Sequence, residues 1–90
     1  MNDVNATLEA RGKTYGKFID VAACSQALKE IISLYTPNHK RYNVDQKEAL
    51  DMICMKIARI VAGDADHVDS WHDIAGYAKL VEDRLNGKIQ

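Results

Sequence analysis

The chain has 90 residues, a length that corresponds to a single domain over residues 1–90. Hydrophobic residues make up 47 % of it and charged residues 28 %, which is typical of a globular protein. The net charge of −1 excludes binding to DNA or to a membrane surface by bulk electrostatics, so any basic binding site must be local.

Hydrophobic residues recur at helical spacing along the chain, and we expect an all-α bundle with three main helices and a short N-terminal one. In chain order, the predicted helices cover residues 3–11, 17–35, 44–62 and 67–85, and a polar loop with Pro37 covers residues 36–43. The core of such a small chain is thin, so we also expect a homo-oligomer.

Two cysteines, Cys24 and Cys54, lie among apolar neighbours in the second and third predicted helices. This placement predicts small buried side chains and not a disulfide, which is typical of a reducing compartment. No apolar run has the length of a signal peptide or a membrane span. We therefore expect a cytoplasmic protein with no membrane partner.

The segment RGKTYG, residues 11–16, can be interpreted in two ways. As a structural element it is a helix end and a turn, since Gly12 and Gly16 tolerate positive φ. As a binding element it offers the cations Arg11 and Lys13, backbone N–H groups, and Tyr15 to stack on a base. Its spacing matches no nucleotide-binding loop of the Walker type.

The third predicted helix has an apolar stripe, which Met52 and Met55 widen. The stripe consists of Leu50, Ile53, Ile57, Ile60 and Val61. Asp45 followed by Glu48 predicts a capping box at the start of this helix, and Asp66 is the expected N-cap of the next. Gly87 is the expected stop of the last helix.

A charged group spans the third and fourth helices, which a short turn makes antiparallel. Residues at equal distance from the turn then face each other, so Arg59 is expected near Asp69 and Lys56 near Asp73, with Tyr77 continuing the acidic row. One interpretation is a structural ladder of ion pairs. The other is a site in which Lys56 and Arg59 hold phosphate, while the two carboxylates orient them or bind Mg²⁺ carried by a nucleotide.

Gly76 and the pair of Glu48 and Asp51 are two further candidates for a functional role. Gly76 lies inside the fourth helix, where glycine costs about 1 kcal/mol relative to alanine, and we expect it to allow close packing of a helix, with ligand contact as the alternative. Glu48 and Asp51 form an E-x-x-D step that is a weak candidate for Mg²⁺. Glu48 lies about 16 Å along the helix from Arg59, at whose level the Asp69 cluster is expected, so a shared metal would require a second subunit.

Three segments in order, RGKTYG at 11–16, KIARI at 56–60 and DSWHDIAGYA at 69–78, resemble a known group. It consists of small phage-encoded helical proteins labelled MazG-like or nucleotide-modification-associated. The resemblance marks as site residues Arg11, Tyr15, Gly16, Lys56, Arg59, Asp69, Asp73 and Tyr77. The chain lacks the E-x-x-E…E-x-x-D metal set that MazG-type pyrophosphohydrolases share.

These observations lead to three hypotheses. The first is a protein that binds a nucleotide or another phosphate-bearing small molecule, with no cofactor, and that in a phage setting sequesters a host immune-signalling nucleotide in the host cytoplasm. The second is a Mg²⁺-dependent, MazG-like nucleotide pyrophosphohydrolase. The third is a protein–protein interaction module that inhibits a host enzyme.

Overall fold

The computed structural model describes residues 3–36 and 41–88, and it confirms an all-α bundle with three main helices and a short first one. The helices are α1 (Val4–Tyr15), α2 (Phe18–Leu34), α3 (Val44–Ala62) and α4 (Val68–Leu85). Pro37, which we expected to end the second helix, lies outside the described residues. Within the described ranges, no helix combines the length and the apolarity needed to cross a membrane.

The central element is α3, which packs against α2 on one side and α4 on the other, while α1 contacts α2 and α3. No Cα of α2 lies within 8 Å of a Cα of α4 in the described part of the chain. The bundle is therefore open along α3.

The core of the bundle is small. Among the described residues, the buried hydrophobic side chains are Val21, Ala49, Cys54 and Ala58. The apolar stripe of α3 is only partly covered within one chain: Ile57 is 36 % exposed, Val61 is 70 % exposed, and the rest of the stripe is half-buried. The reason is that α2 and α4 do not close over the stripe.

The first helix continues beyond its expected end at residue 11 and runs to Tyr15. Gly12 lies inside it, and its carbonyl accepts a hydrogen bond from the N–H of Gly16 at 2.9 Å. Gly16 has φ +86° and ends the helix, as expected of a glycine at this position. Glycine is a poor helix former, and the last turn of α1 gains a tertiary contact, in which the carbonyl of Thr14 accepts a hydrogen bond from the N–H of Asp64.

A capping box begins α3 as expected, but its residues are Asn43 and Gln46 and not Asp45 and Glu48. The N-cap is Asn43, whose N–H donates to Oε1 of Gln46 at 2.9 Å. Asp45 instead accepts two hydrogen bonds from Arg84, at 2.7 and 2.8 Å. Because this pair joins the start of α3 to the end of α4, it confirms that the two helices are antiparallel.

The ends of α4 follow the expectations in part. Its N-cap is His67 and not Asp66, whose N–H donates to the carboxylate of Asp64 at 2.9 Å. Gly87 has φ +84° and follows the helix as expected, with its N–H bonded to the carbonyl of Arg84 at 3.0 Å.

Candidate functional site

A cleft of about 440 Å³ lies where α1, α2 and α3 meet, and we call it the cationic cleft. Its lining consists of Leu8, Arg11, Gly12, Tyr15, Gly16, Lys17, Phe18, Val21, Met55 and Arg59. Three of these side chains are cations and, among the described residues, none of the lining side chains is acidic. The cleft is thus strongly basic in a chain whose net charge is −1.

The half-buried ring of Tyr15 organises the polar end of the cleft. The guanidinium carbon of Arg59 lies 4.5 Å from the ring centroid, and that of Arg11 lies 5.1 Å from it. Both distances are within the range of a cation–π interaction. The imidazole of His67 meets the same ring edge-on, with a centroid distance of 5.5 Å and an interplanar angle of 83°.

Backbone contacts hold the RGKTYG segment against the end of α3. The N–H of Asp64 donates to the carbonyl of Thr14 at 2.7 Å. A Cβ added at Gly16 would collide with the carbonyl of Ala62, and one added at Gly63 would collide with the backbone of Thr14 and Tyr15. Gly16 and Gly63 therefore allow two backbones to touch, and this contact brings α1 and Arg59 together.

The guanidinium groups of Arg11 and Arg59 lack a carboxylate partner within 4.0 Å in the part of the chain that the structure describes. A cation–π contact uses no N–H donor, so the N–H groups of both guanidinium groups stay available for hydrogen bonds. Two like charges held within about 10 Å of each other repel, and an anion between them relieves that repulsion. The arrangement can therefore bind an anion such as phosphate.

The predicted ladder between α3 and α4 forms only in part. Lys56 pairs with Asp73 at 3.1 Å, as expected, and the lysine is buried, with 9 % of its surface exposed. Arg59, which we expected near Asp69, forms no ion pair with it in the described chain. Its guanidinium group lies over the Tyr15 ring instead. Asp69 is exposed and lies 3.8 Å from Nε2 of His67.

The remaining predicted residues on α4 lie at a different place. Asp73 and Tyr77 line a second, open cleft of about 630 Å³ on the surface of α4, with His72, Gly76, Lys79, Leu80 and Asp83. Nothing in the described chain lies within 4 Å of a Cβ added at Gly76, so the expected close helix packing does not occur there within one chain. The predicted constellation is thus divided between two clefts, and Arg11, Tyr15, Gly16 and Arg59 share the cationic one.

The family model described as Domain of unknown function (DUF6378) matches residues 1–85. The chain belongs to the DUF6378 family. The match extends over all four helices and so includes the residues of both clefts. No curated protein and no solved structure matches the chain.

Five predicted site residues of this DUF6378 chain line neither cleft: Lys13, Glu48, Asp51, Lys56 and Asp69. Lys13 is exposed and lies 3.7 Å from Glu9 on its own helix. Asp51 pairs with Lys47 at 3.3 Å, and Glu48 is exposed. No group of three or more His, Cys, Asp or Glu side chains is close enough to hold a metal ion within residues 3–36 and 41–88. The acidic residues proposed for Mg²⁺ are therefore not assembled in the described part of one DUF6378 chain.

Three residues at the cationic cleft are not predicted by the sequence motifs: Lys17, Phe18 and His67. Lys17 and Phe18 line the cationic cleft because Gly16 turns the chain directly into α2. His67 reaches the Tyr15 ring through tertiary packing alone, and no local pattern marks it. Only the position of Lys17 and Phe18, directly after the RGKTYG segment, could have indicated from the sequence that they lie at the cleft.

Proposed function

We propose that the protein binds a phosphate-bearing small molecule, and specifically a nucleotide, in the cationic cleft. The observation that carries this proposal is the pair of guanidinium groups, Arg11 and Arg59, held on one tyrosine ring without a carboxylate partner in the described chain. Mutual repulsion between two arginines destabilises the folded chain. A bound anion that contacts both of them offsets this repulsion.

The phosphate of the ligand would lie between the edges of the two guanidinium groups. Guanidinium N–H edges match phosphate oxygens in a bidentate geometry, and charge-assisted hydrogen bonds of this kind are about twice as strong as neutral ones. Lys17 would add a third positive charge from the start of α2. Lys56, which we expected to contact the phosphate, instead forms an ion pair with Asp73.

The base of the nucleotide would lie on the apolar wall of the same cleft. Leu8, Val21 and Met55 line it, and the ring of Phe18 is 79 % exposed beside them. Stacking of a base on an aromatic ring is worth about 1–3 kcal/mol and does not depend strongly on base identity. In this proposal Phe18 takes the stacking role expected of Tyr15, because the Tyr15 ring already contacts two guanidinium groups.

The resemblance to phage-encoded proteins supports a more specific form of the proposal. In this form the chain acts in the host cytoplasm as a homo-oligomer and sequesters a host immune-signalling nucleotide without hydrolysing it. The pyrophosphohydrolase alternative requires a second subunit, because the acidic residues do not form a metal-binding group within the described part of one chain.

The test is isothermal titration calorimetry with ATP, a cyclic dinucleotide and inorganic phosphate. We expect a nucleotide to bind more tightly than phosphate, because only the nucleotide uses the apolar wall. Arg11→Ala and Arg59→Ala should each weaken nucleotide binding by about 10- to 100-fold, the value of one charge-assisted contact. The matched control is Lys13→Ala, which removes an exposed cation of α1 outside the cleft and should leave affinity unchanged.

Two results would contradict the proposal. One is that no nucleotide binds to the protein or raises its melting temperature. The other is that Lys13→Ala weakens binding as much as Arg11→Ala, which would indicate diffuse attraction and not a site. Release of pyrophosphate from a triphosphate in the presence of Mg²⁺ would favour the enzyme alternative.

A further inference from the structure

The apolar stripe of α3 lies open along the bundle. It comprises Leu50, Ile53, Ile57, Ile60 and Val61, all half-buried or exposed. By contrast, the buried positions of the same helix are Ala49, Cys54, Lys56 and Ala58, of which three are small. The most hydrophobic positions of the helix are therefore less completely buried than its small ones, and Ile57 and Val61 are exposed.

The stripe lies on the side of α3 away from the cationic cleft. Successive residues of a helix are rotated by about 100°, so Ile57 is roughly half a turn around α3 from both Met55 and Arg59. Met55 and Arg59 line the cleft. A partner on the stripe would therefore leave the cleft open.

The accessible surface of the chain is larger than that of a compact monomer of the same mass. A compact monomer of 10.1 kDa has an accessible surface of about 5,300 Å², whereas this chain has 6938 Å². The excess, about 1,600 Å², is twice the area of about 800 Å² that each partner buries in an interface of standard size. The radius of gyration is 15.4 Å, against about 12 Å for a compact chain of this length.

We infer that a second copy of this chain covers the stripe, so that the protein is a homodimer built on α3 against α3. In a two-fold dimer each residue near the axis meets its own copy, and like charges there would repel. No charged residue belongs to the stripe, so it is suited to contact itself. Each copy of the chain has the same excess of accessible surface. A symmetric dimer would bury part of this excess in both copies.

This inference stands independently of the proposed ligand, and its test measures oligomeric state alone. Size-exclusion chromatography with light scattering should show a dimer for the wild type. Ile57→Asp, which places a charge in the stripe, should give a monomer. Ile19→Asp is the matched control, because Ile19 is 71 % exposed on α2 outside the stripe, and this variant should remain a dimer.

Circular dichroism shows whether each variant is folded. If Ile57→Asp loses its helical signal, Val61→Asp serves instead, since Val61 is 70 % exposed in the same stripe. A monomeric wild type at every concentration would overturn the inference. So would a dimer that survives both stripe substitutions but dissociates with Ile19→Asp. Calorimetric titration of the monomeric variant with ATP then tests the cleft separately.

Discussion

Tyr15 illustrates how single residues in this protein acquire a role through their neighbours. Its ring contacts Arg11 within α1, Arg59 from α3 and His67 from the start of α4. Only the first of these contacts is local in the sequence. The other two exist because backbone contacts at Gly16 and Gly63 join α1 to the end of α3.

Ser25 gives a stability prediction at the same scale. It is 1 % exposed on α2, and its Oγ has no hydrogen-bond partner among the described residues. A buried hydroxyl without a partner costs free energy of folding, so Ser25→Ala should raise the free energy of unfolding by about 1 kcal/mol beyond the gain in helix propensity. Chemical denaturation measures this change.

The control for that prediction is Ser33→Ala, an exposed serine on the same helix. Ser33 lies in the last turn of α2, so its substitution gains at most the same helix propensity, and it removes no buried hydroxyl. If Ser25→Ala stabilises the protein no more than Ser33→Ala, the hydroxyl has an additional partner and the prediction is wrong.

Among the elements, the contact of α1 with the end of α3 depends on glycine. Gly63→Ala should destabilise the protein by about 1–3 kcal/mol, because its Cβ would collide with the backbone of Thr14 and Tyr15. Gly12→Ala should stabilise it by up to about 1 kcal/mol, because that position is helical and open. Thermal unfolding of the two variants measures both effects, and equal effects of the same sign would contradict this account of the contact.

The pair of Asp45 and Arg84 joins the two ends of the antiparallel α3 and α4. The guanidinium beside Asp45 holds the pKa of that carboxyl below its ordinary value of 3.8. A carboxyl with a lowered pKa in the folded state stabilises the protein above its ordinary pKa, and this stabilisation is lost as the pH falls through the lowered pKa.

Asp45→Asn should therefore lower the melting temperature at pH 7, and the difference from the wild type should disappear in strong acid. The control is Asp51→Asn, whose partner Lys47 lies on the same helix, and it should have a smaller effect at pH 7. Melting curves from pH 7 to pH 2 test this, and a difference that persists at the lowest pH would contradict it.

At the scale of the whole molecule, the small core and the large exposed area link stability to association. If the dimer covers the α3 stripe, folding and association are coupled, and the melting temperature of the wild type should rise with protein concentration. The melting temperature of Ile57→Asp should not change with concentration. Calorimetric scans over a hundredfold concentration range compare the two, and a constant wild-type value would contradict the coupling.

The sequence by itself determined those features that depend on local physics. The four helices follow from hydrophobic spacing, and the bounds of α3 agree with the prediction at both ends. Gly16 and Gly87 were recognised because a helix end in the left-handed region favours glycine. The pair of Lys56 and Asp73 was also predictable, because a short turn fixes the register of two antiparallel helices.

Only the tertiary structure decided which face of α3 is buried and which partner Arg59 has. Periodicity identifies an apolar stripe but not whether a neighbouring helix of the same chain covers it, and here α2 and α4 stay apart. Arg59 stacks on Tyr15 and not beside Asp69 because α1, distant in the sequence, packs across the end of α3. Contacts between distant segments depend on how whole helices pack, and no local pattern of residues encodes that packing.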